Sequence, residues 1–151
     1  MPRIIESIEI NSSRDRLWDV ISDLDNEPMY WRGTRSVKNL SREGDVVQRE
    51  IYQNFGDHPI QQKVILKPKS EIDIQYVKGI TEGAKVLRLD SLGENNQKLT
   101  VEWNVRFPGI YSLGTPFIAG HVRKGTKEAL QRIKGVSEGR PLEDPAPRPS
   151  K

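Results

Sequence analysis

The sequence predicts an α+β domain in which a curved antiparallel sheet of seven strands wraps around one long C-terminal helix, with two short helices after the first strand. Three observations carry this expectation. One amphipathic helical pattern runs near the end of the chain, from about Ser112 to Val136. Before it stand six consecutive segments of period-two patterning with no helix among them. The connections between those segments are short, which favours antiparallel neighbours. All the strands must bury one face, and the terminal helix is the only large partner available.

Ile4 to Ile10 reads as the first strand, with Ile8 and Ile10 on one face and Ser7 and Glu9 on the other. Glu6 shares the face of Ile8 and Ile10, where a carboxylate is costly unless paired. It either lines a pocket or reaches solvent from the start of the strand. Ser12 followed by Asp15 resembles a capping box. The short helix after it carries Leu17, Ile21 and Leu24 at i, i+4 and i+7, with Trp18 beside Leu17. Asp25-Asn26-Glu27-Pro28 restarts the chain as a second short helix, with Asn26 or Glu27 at the cap and Pro28 in the first turn, where its missing N–H is harmless. That helix holds Met29, Tyr30 and Trp31 and ends at Gly33.

The remaining strands are expected at Arg35 to Leu40, Val46 to Gln53, Ile60 to Leu66, Glu71 to Val77, Lys85 to Leu92 and Lys98 to Phe107. Gly-, Pro-, Asn- and Asp-rich turns separate them. Ile60, Gln62, Val64 and Leu66 form one inward face, Ile72, Ile74 and Tyr76 the next, and Leu99, Val101, Trp103, Val105 and Phe107 the last. The phase of Val46 to Gln53 stays open. In the long helix, Ile118, Val122, Gly125, Ala129, Ile133 and Val136 fall on one stripe, with Arg123, Lys127, Gln131 and Lys134 opposite. The middle of that stripe is small. A glycine inside a helix costs about 1 kcal/mol relative to alanine. Either a backbone packs closely against Gly125 and Ala129, or the space there holds something else. The expected domain covers residues 1–138, and the tail from Gly139, with four of the ten prolines and almost no apolar residues, is expected to be disordered.

Composition removes several function classes. The chain has no cysteine, so disulfides and thiolate metal sites are excluded. Two histidines cannot build an ordinary zinc site unless carboxylates supply the rest, and neither a metal nor a cofactor is expected. The net charge is +3, and the basic residues are interleaved with acids, as on a solvated surface rather than a nucleic-acid-binding face. MPRIIESIEI has no apolar run of signal-peptide length, so the expectation is a cytoplasmic protein with no secretion signal and no transmembrane segment, free to touch membranes transiently. There is no G-x-S-x-G elbow and no P-loop.

With this order of elements the chain resembles the START-like, helix-grip superfamily, also called SRPBCC, over about residues 3 to 137. The resemblance rests on IIESIEINSSRDRLWDVISDLDNEPMYW at the start, GENNQKLTVEWNVRF in the last hairpin and FPGIYSLGTPFIAGHVRKGTKEALQRIKG at the end. The polyketide cyclase/dehydrase-like and coenzyme Q-binding-like members look nearest. These are signatures of fold, because the superfamily shares no short catalytic motif. The resemblance implies a hydrophobic cavity for a small apolar or amphipathic molecule (a lipid, isoprenoid, quinone or polyketide-like compound), closed by loops at one end of the helix.

Candidate ligand-binding residues follow from that picture. Trp31, Tyr52, Tyr76, Trp103, Phe107, Tyr111 and Phe117 form either a pocket wall or ordinary core packing. His121, on the flank of the helical stripe, is a candidate hydrogen-bonding group or base, or else a half-exposed edge residue. His58 sits in a Gly-Asp-His-Pro turn and is expected in solvent. Gln62 is the polar member of an apolar face, and Gly125 marks the space. The first expectation is a non-enzymatic binding or carrier protein. The alternative is an enzyme of the polyketide cyclase or aromatase type, in which His121 or Tyr76 would move protons. A third is an interaction module whose cavity is vestigial.

Overall fold

In the computed structural model, residues 3–54, 58–79, 81–106 and 115–142 are described. Phe107, Tyr111, the expected helix start at Ser112 and the tail beyond residue 142 lie outside them. Seven strands form one antiparallel sheet: β1 (Ile4–Ile10), β2 (Thr34–Glu43), β3 (Val46–Gln53), β4 (Ile60–Lys67), β5 (Glu71–Lys78), β6 (Glu82–Gly93) and β7 (Asn96–Arg106). Their spatial order is β1-β7-β6-β5-β4-β3-β2. Strands β2 to β7 therefore meander, and β1 returns to pair with β7, setting Ile4 opposite Trp103 and Ile10 opposite Gln97.

The buried positions of β4, β5 and β7 follow the alternation expected from the sequence. The phase left open in β3 is settled by burial of Val47, Arg49 and Ile51. In β6 the inward residues are Lys85, Leu87 and Leu89. Two cations thus point into the molecule from positions flanked by aliphatic residues. Strand β2 is an edge, nearly all exposed, and its pairing with β3 shifts register between Thr34 and Ser36 and again between Asn39 and Ser41. Charged side chains and bulges of this kind discourage a further strand from adding to an edge.

The helices are α1 (Arg14–Ile21), a single 3-10 turn (Leu24–Asn26), α2 (Glu27–Tyr30) and α3 (Thr115–Ser137). Helix α1 begins one residue later than the expected capping box implies. Its cap is Ser13, whose Oγ accepts a hydrogen bond from the Arg16 amide at 3.1 Å, while Ser12 Oγ donates to the Ser13 carbonyl at 2.7 Å. Asn26 caps α2 by position, without a side-chain bond to the helix, and Pro28 stands in its first turn. Helix α3 would span about 35 Å at the usual rise. Among the described residues, no helix is long and apolar enough to cross a membrane.

The core gathers at one end. Leu17, Val20, Ile21 and Leu24 pack with Leu130 and Ile133 of α3 against Leu87, Leu89, Leu99 and Val101 of the sheet. The buried face of α3 differs from the expected stripe. Ala129 and Ile133 are buried as expected, but so are Ala119, Thr126, Leu130 and Ser137, while Gly125 is exposed. The face is turned because Thr126, polar by type, is satisfied inside: its Oγ1 donates to the Val122 carbonyl at 2.7 Å and accepts from Trp103 Nε1 at 2.9 Å.

Candidate functional site

The interior has a filled half and an open half. Around the core under α1, the remaining void is only about 20 Å³, room for about one water. Between the sheet and the middle of α3, from His121 to Arg132, lies a cavity of about 420 Å³. A Cβ placed on Gly125 would meet no atom within 4 Å. The small centre of α3 is therefore not a close backbone contact; it faces open space, and Gly125 lines the cavity. The apolar wall comes from Trp31, Ile51, Ile74, Trp103, Val105 and Val122. Trp31 and Trp103 meet edge to face, with ring centroids 6.1 Å apart.

A polar cluster stands in this wall. Glu27, from the first turn of α2, accepts a hydrogen bond from Arg49 Nη2 at 2.7 Å and another from Thr34 Oγ1 at 3.1 Å. Arg49 Nε donates to Gln62 Oε1 at 2.8 Å on the neighbouring strand. Arg49 is 1% exposed, and its Nη1 has no hydrogen-bond partner among the described residues. Lys85, 4% exposed, projects from β6 between the two tryptophans: its Nζ is 3.2 Å from the Trp31 centroid and 4.6 Å from that of Trp103. Such placement over indole faces is attractive for a cation.

The cluster sets its own protonation states. Burial pulls the Lys85 ammonium down to about 7; the Glu27 charge works against this and the Arg49 charge adds to it. Burial also raises Glu27, but the attraction of Arg49 and Lys85 and the hydrogen bonds from Arg49 and Thr34 outweigh it, so its carboxyl falls below the usual value and stays ionised. The Tyr76 phenol is raised, by burial first and then by the Glu27 charge, so it is a neutral hydrogen-bonding group at physiological pH. Among the described residues, no three histidine or acidic side chains gather in a metal-binding arrangement.

Of the residues singled out from the sequence, Trp31, Gln62, Tyr76, Trp103, His121 and Gly125 line the cavity. His121 stands at its exposed rim on α3. Tyr52 lies off the cavity wall, with the Arg35 guanidinium 5.5 Å from its ring centroid, and Phe117 is 83% exposed and away from it. Glu6 faces inward as expected but forms an ion pair with Arg123 at 3.3 Å and does not line the cavity. His58 is exposed. The residues that sequence reasoning missed are Glu27, seen only as a helix cap, and the two inward cations. Their signal was present: Arg49 alternates with Val47 and Ile51, and Lys85 with Leu87 and Leu89.

Comparison with known proteins agrees with this architecture. The fold is similar to that of the ZhuI aromatase/cyclase from Streptomyces sp. R1128, with a TM-score of 0.75 and 14% identity over 91% of this chain and 93% of that one. It is similar to a START superfamily protein from Mycobacterium smegmatis, with a TM-score of 0.68 and 16% identity over 89% of this chain and 98% of the other. The Aha1 dimer from Colwellia psychrerythraea is also similar, with a TM-score of 0.66 and 16% identity over 92% and 98% of the two chains. At these identities the likeness is one of fold, the START-like helix grip. No curated protein matches the sequence. Residues 1–138 match the family described as polyketide cyclase / dehydrase and lipid transport, and the chain belongs to that family.

Proposed function

We propose that this protein binds one small, mostly apolar molecule in the cavity between the sheet and α3, as a binding or carrier protein. The observation that supports this most directly is the 420 Å³ cavity walled by Trp31, Trp103 and aliphatic side chains, with Gly125 facing open space. Its size and lining are those of a small-molecule site, in which apolar walls supply affinity and a few polar groups fix orientation. A vestigial cavity filled by its own side chains would not have this volume. The test is titration of the purified protein with a neutral apolar fluorophore such as N-phenyl-1-naphthylamine. Saturable uptake near one molecule per chain is expected; no uptake overturns the reading.

One observation favours a second reading, an enzyme of the cyclase or aromatase type. Lys85, with its ammonium near neutrality inside the cavity, has the acidity required of a general acid or base. Tyr76 would serve there as a hydrogen-bond donor rather than a base, because its phenol is held protonated. Turnover of a polyketone substrate that disappears in Lys85→Met and survives in His121→Ala would support this reading, and turnover unaffected by Lys85→Met would remove Lys85 from it.

A further inference from the structure

Two buried cations, Arg49 and Lys85, stand in the wall of the same cavity. Arg49 Nη1 has no hydrogen-bond partner among the described residues, and the guanidinium is closed off from the open space, with 0% side-chain exposure. Lys85 Nζ donates no hydrogen bond within the described residues, and its contacts are the faces of Trp31 and Trp103. Buried donors left unpaired are costly, and buried cations more so unless a counter-charge is near. Among the described residues, the only acid hydrogen-bonded to this cluster is Glu27, whose oxygens are occupied by Arg49 and Thr34. Arg49 and Lys85 against Glu27 leave one positive charge in excess whenever Lys85 is protonated. No side chain of the described protein completes this arrangement.

From this arrangement we infer that the cavity ligand carries a single anionic carboxylate head, held by Lys85 Nζ with the Arg49 charge behind it, and its apolar body against Trp31, Trp103 and the aliphatic wall. The inference rests on the cavity-binding reading above and specifies the ligand's chemical class. One negative charge neutralises the cluster, and the three N–H donors of the Lys85 ammonium suffice for both oxygens of a carboxylate. A doubly charged phosphate would exceed that balance. A ligand without an acceptor oxygen would leave the Lys85 ammonium without a hydrogen-bond partner among the described residues.

The discriminating experiment compares decanoate and decanol as competitors for the bound neutral fluorophore in the intact protein. The expected result is that decanoate binds at least about ten-fold more tightly than decanol, the size of one charge-assisted hydrogen bond. In Lys85→Met that preference falls toward parity, with decanol little changed. In Lys124→Met, which removes a cation from the exposed rim of the same cavity, the preference persists. Equal binding of decanoate and decanol in the native sequence overturns the carboxylate assignment while leaving the fluorophore result intact. A preference lost in Lys124→Met and kept in Lys85→Met also overturns it, because a diffuse positive field would then be its source. If neither the fluorophore nor decanoate binds, the assignment and the cavity reading fail together.

Discussion

The ammonium of Lys85 lies 3.2 Å from the centroid of the Trp31 ring, joining β6 to the residue that ends α2. The contact makes one side chain answer to two demands. The indole face attracts the charged form, whereas burial at 4% exposure penalises it. Burial prevails, since the ammonium is brought down to about 7. The same residue borders both the small void beside the core and the large cavity, so it marks where packing stops and the open half begins.

Stability should therefore depend on pH through Lys85. An unfolded chain protonates lysine up to its model value of 10.5, whereas the folded chain does so only below about 7. Lys85's contribution is thus fully present above pH 10.5 and is lost as pH falls to 7, with a limiting slope of ~1.4 kcal/mol per pH unit. Lys85→Met removes the penalty. Urea denaturation at neutral pH should find the variant more stable than the native protein, with the gap narrowing toward pH 10. A constant gap across that range would mean that Lys85 is not held near neutrality.

Glu27 is expected to be the costliest of the cluster to remove. Its carboxylate holds Arg49 at 2.7 Å, and Arg49 is almost completely buried. Glu27→Gln leaves that guanidinium without its counter-charge and should destabilise the fold by about 3 kcal/mol. The double variant Glu27→Gln with Arg49→Met should recover part of the loss, since no buried charge is then stranded. Urea midpoints of the two variants, compared with the native protein, check both statements.

Gly125→Leu should separate cavity from core. With no atom within 4 Å of the added Cβ, the side chain enters open space rather than a packed interface. Helix propensity favours leucine by up to about 1 kcal/mol, so the urea midpoint should hold or rise. Fluorophore affinity should fall, because the side chain takes cavity volume. A variant that unfolds and binds normally when refolded would contradict both expectations.

Gly83 has the opposite character. Its φ of 116° lies where other L residues are strained, and a Cβ there would sit 2.1 Å from the Asn104 carbonyl oxygen on β7. Gly83→Ala should cost about 2 kcal/mol or more, measured as a lowered thermal midpoint. Because Gly83 pairs with Val105, which lines the cavity, ligand affinity should fall as well.

Much of the architecture was legible in order and period. Alternation placed the inward faces of β4, β5 and β7, and the boundaries of β1 and β3 coincide with those read from the chain. These features are local, since strand period and turn residues act over a few neighbours. The reading of α3 was less accurate for a physical reason. A helical stripe drawn from residue type places Thr126 outside, yet Trp103, distant in sequence, gives its hydroxyl a partner within. Phe117, apolar by type, stands 83% exposed.

The sequence by itself determined the helix-grip order of elements, the absence of cysteine chemistry, and the presence of a small centre in the apolar stripe of the long helix. Only the tertiary structure decided what that centre faces. Whether Gly125 meets a backbone or a cavity depends on how the curved sheet stands off from α3, which no local pattern encodes. It likewise decided that Arg49, Lys85 and Glu27, far apart along the chain, meet in one wall. Charge is a long-range property, and a cation at an inward strand position declares its partner only when the strands and α2 are packed around it.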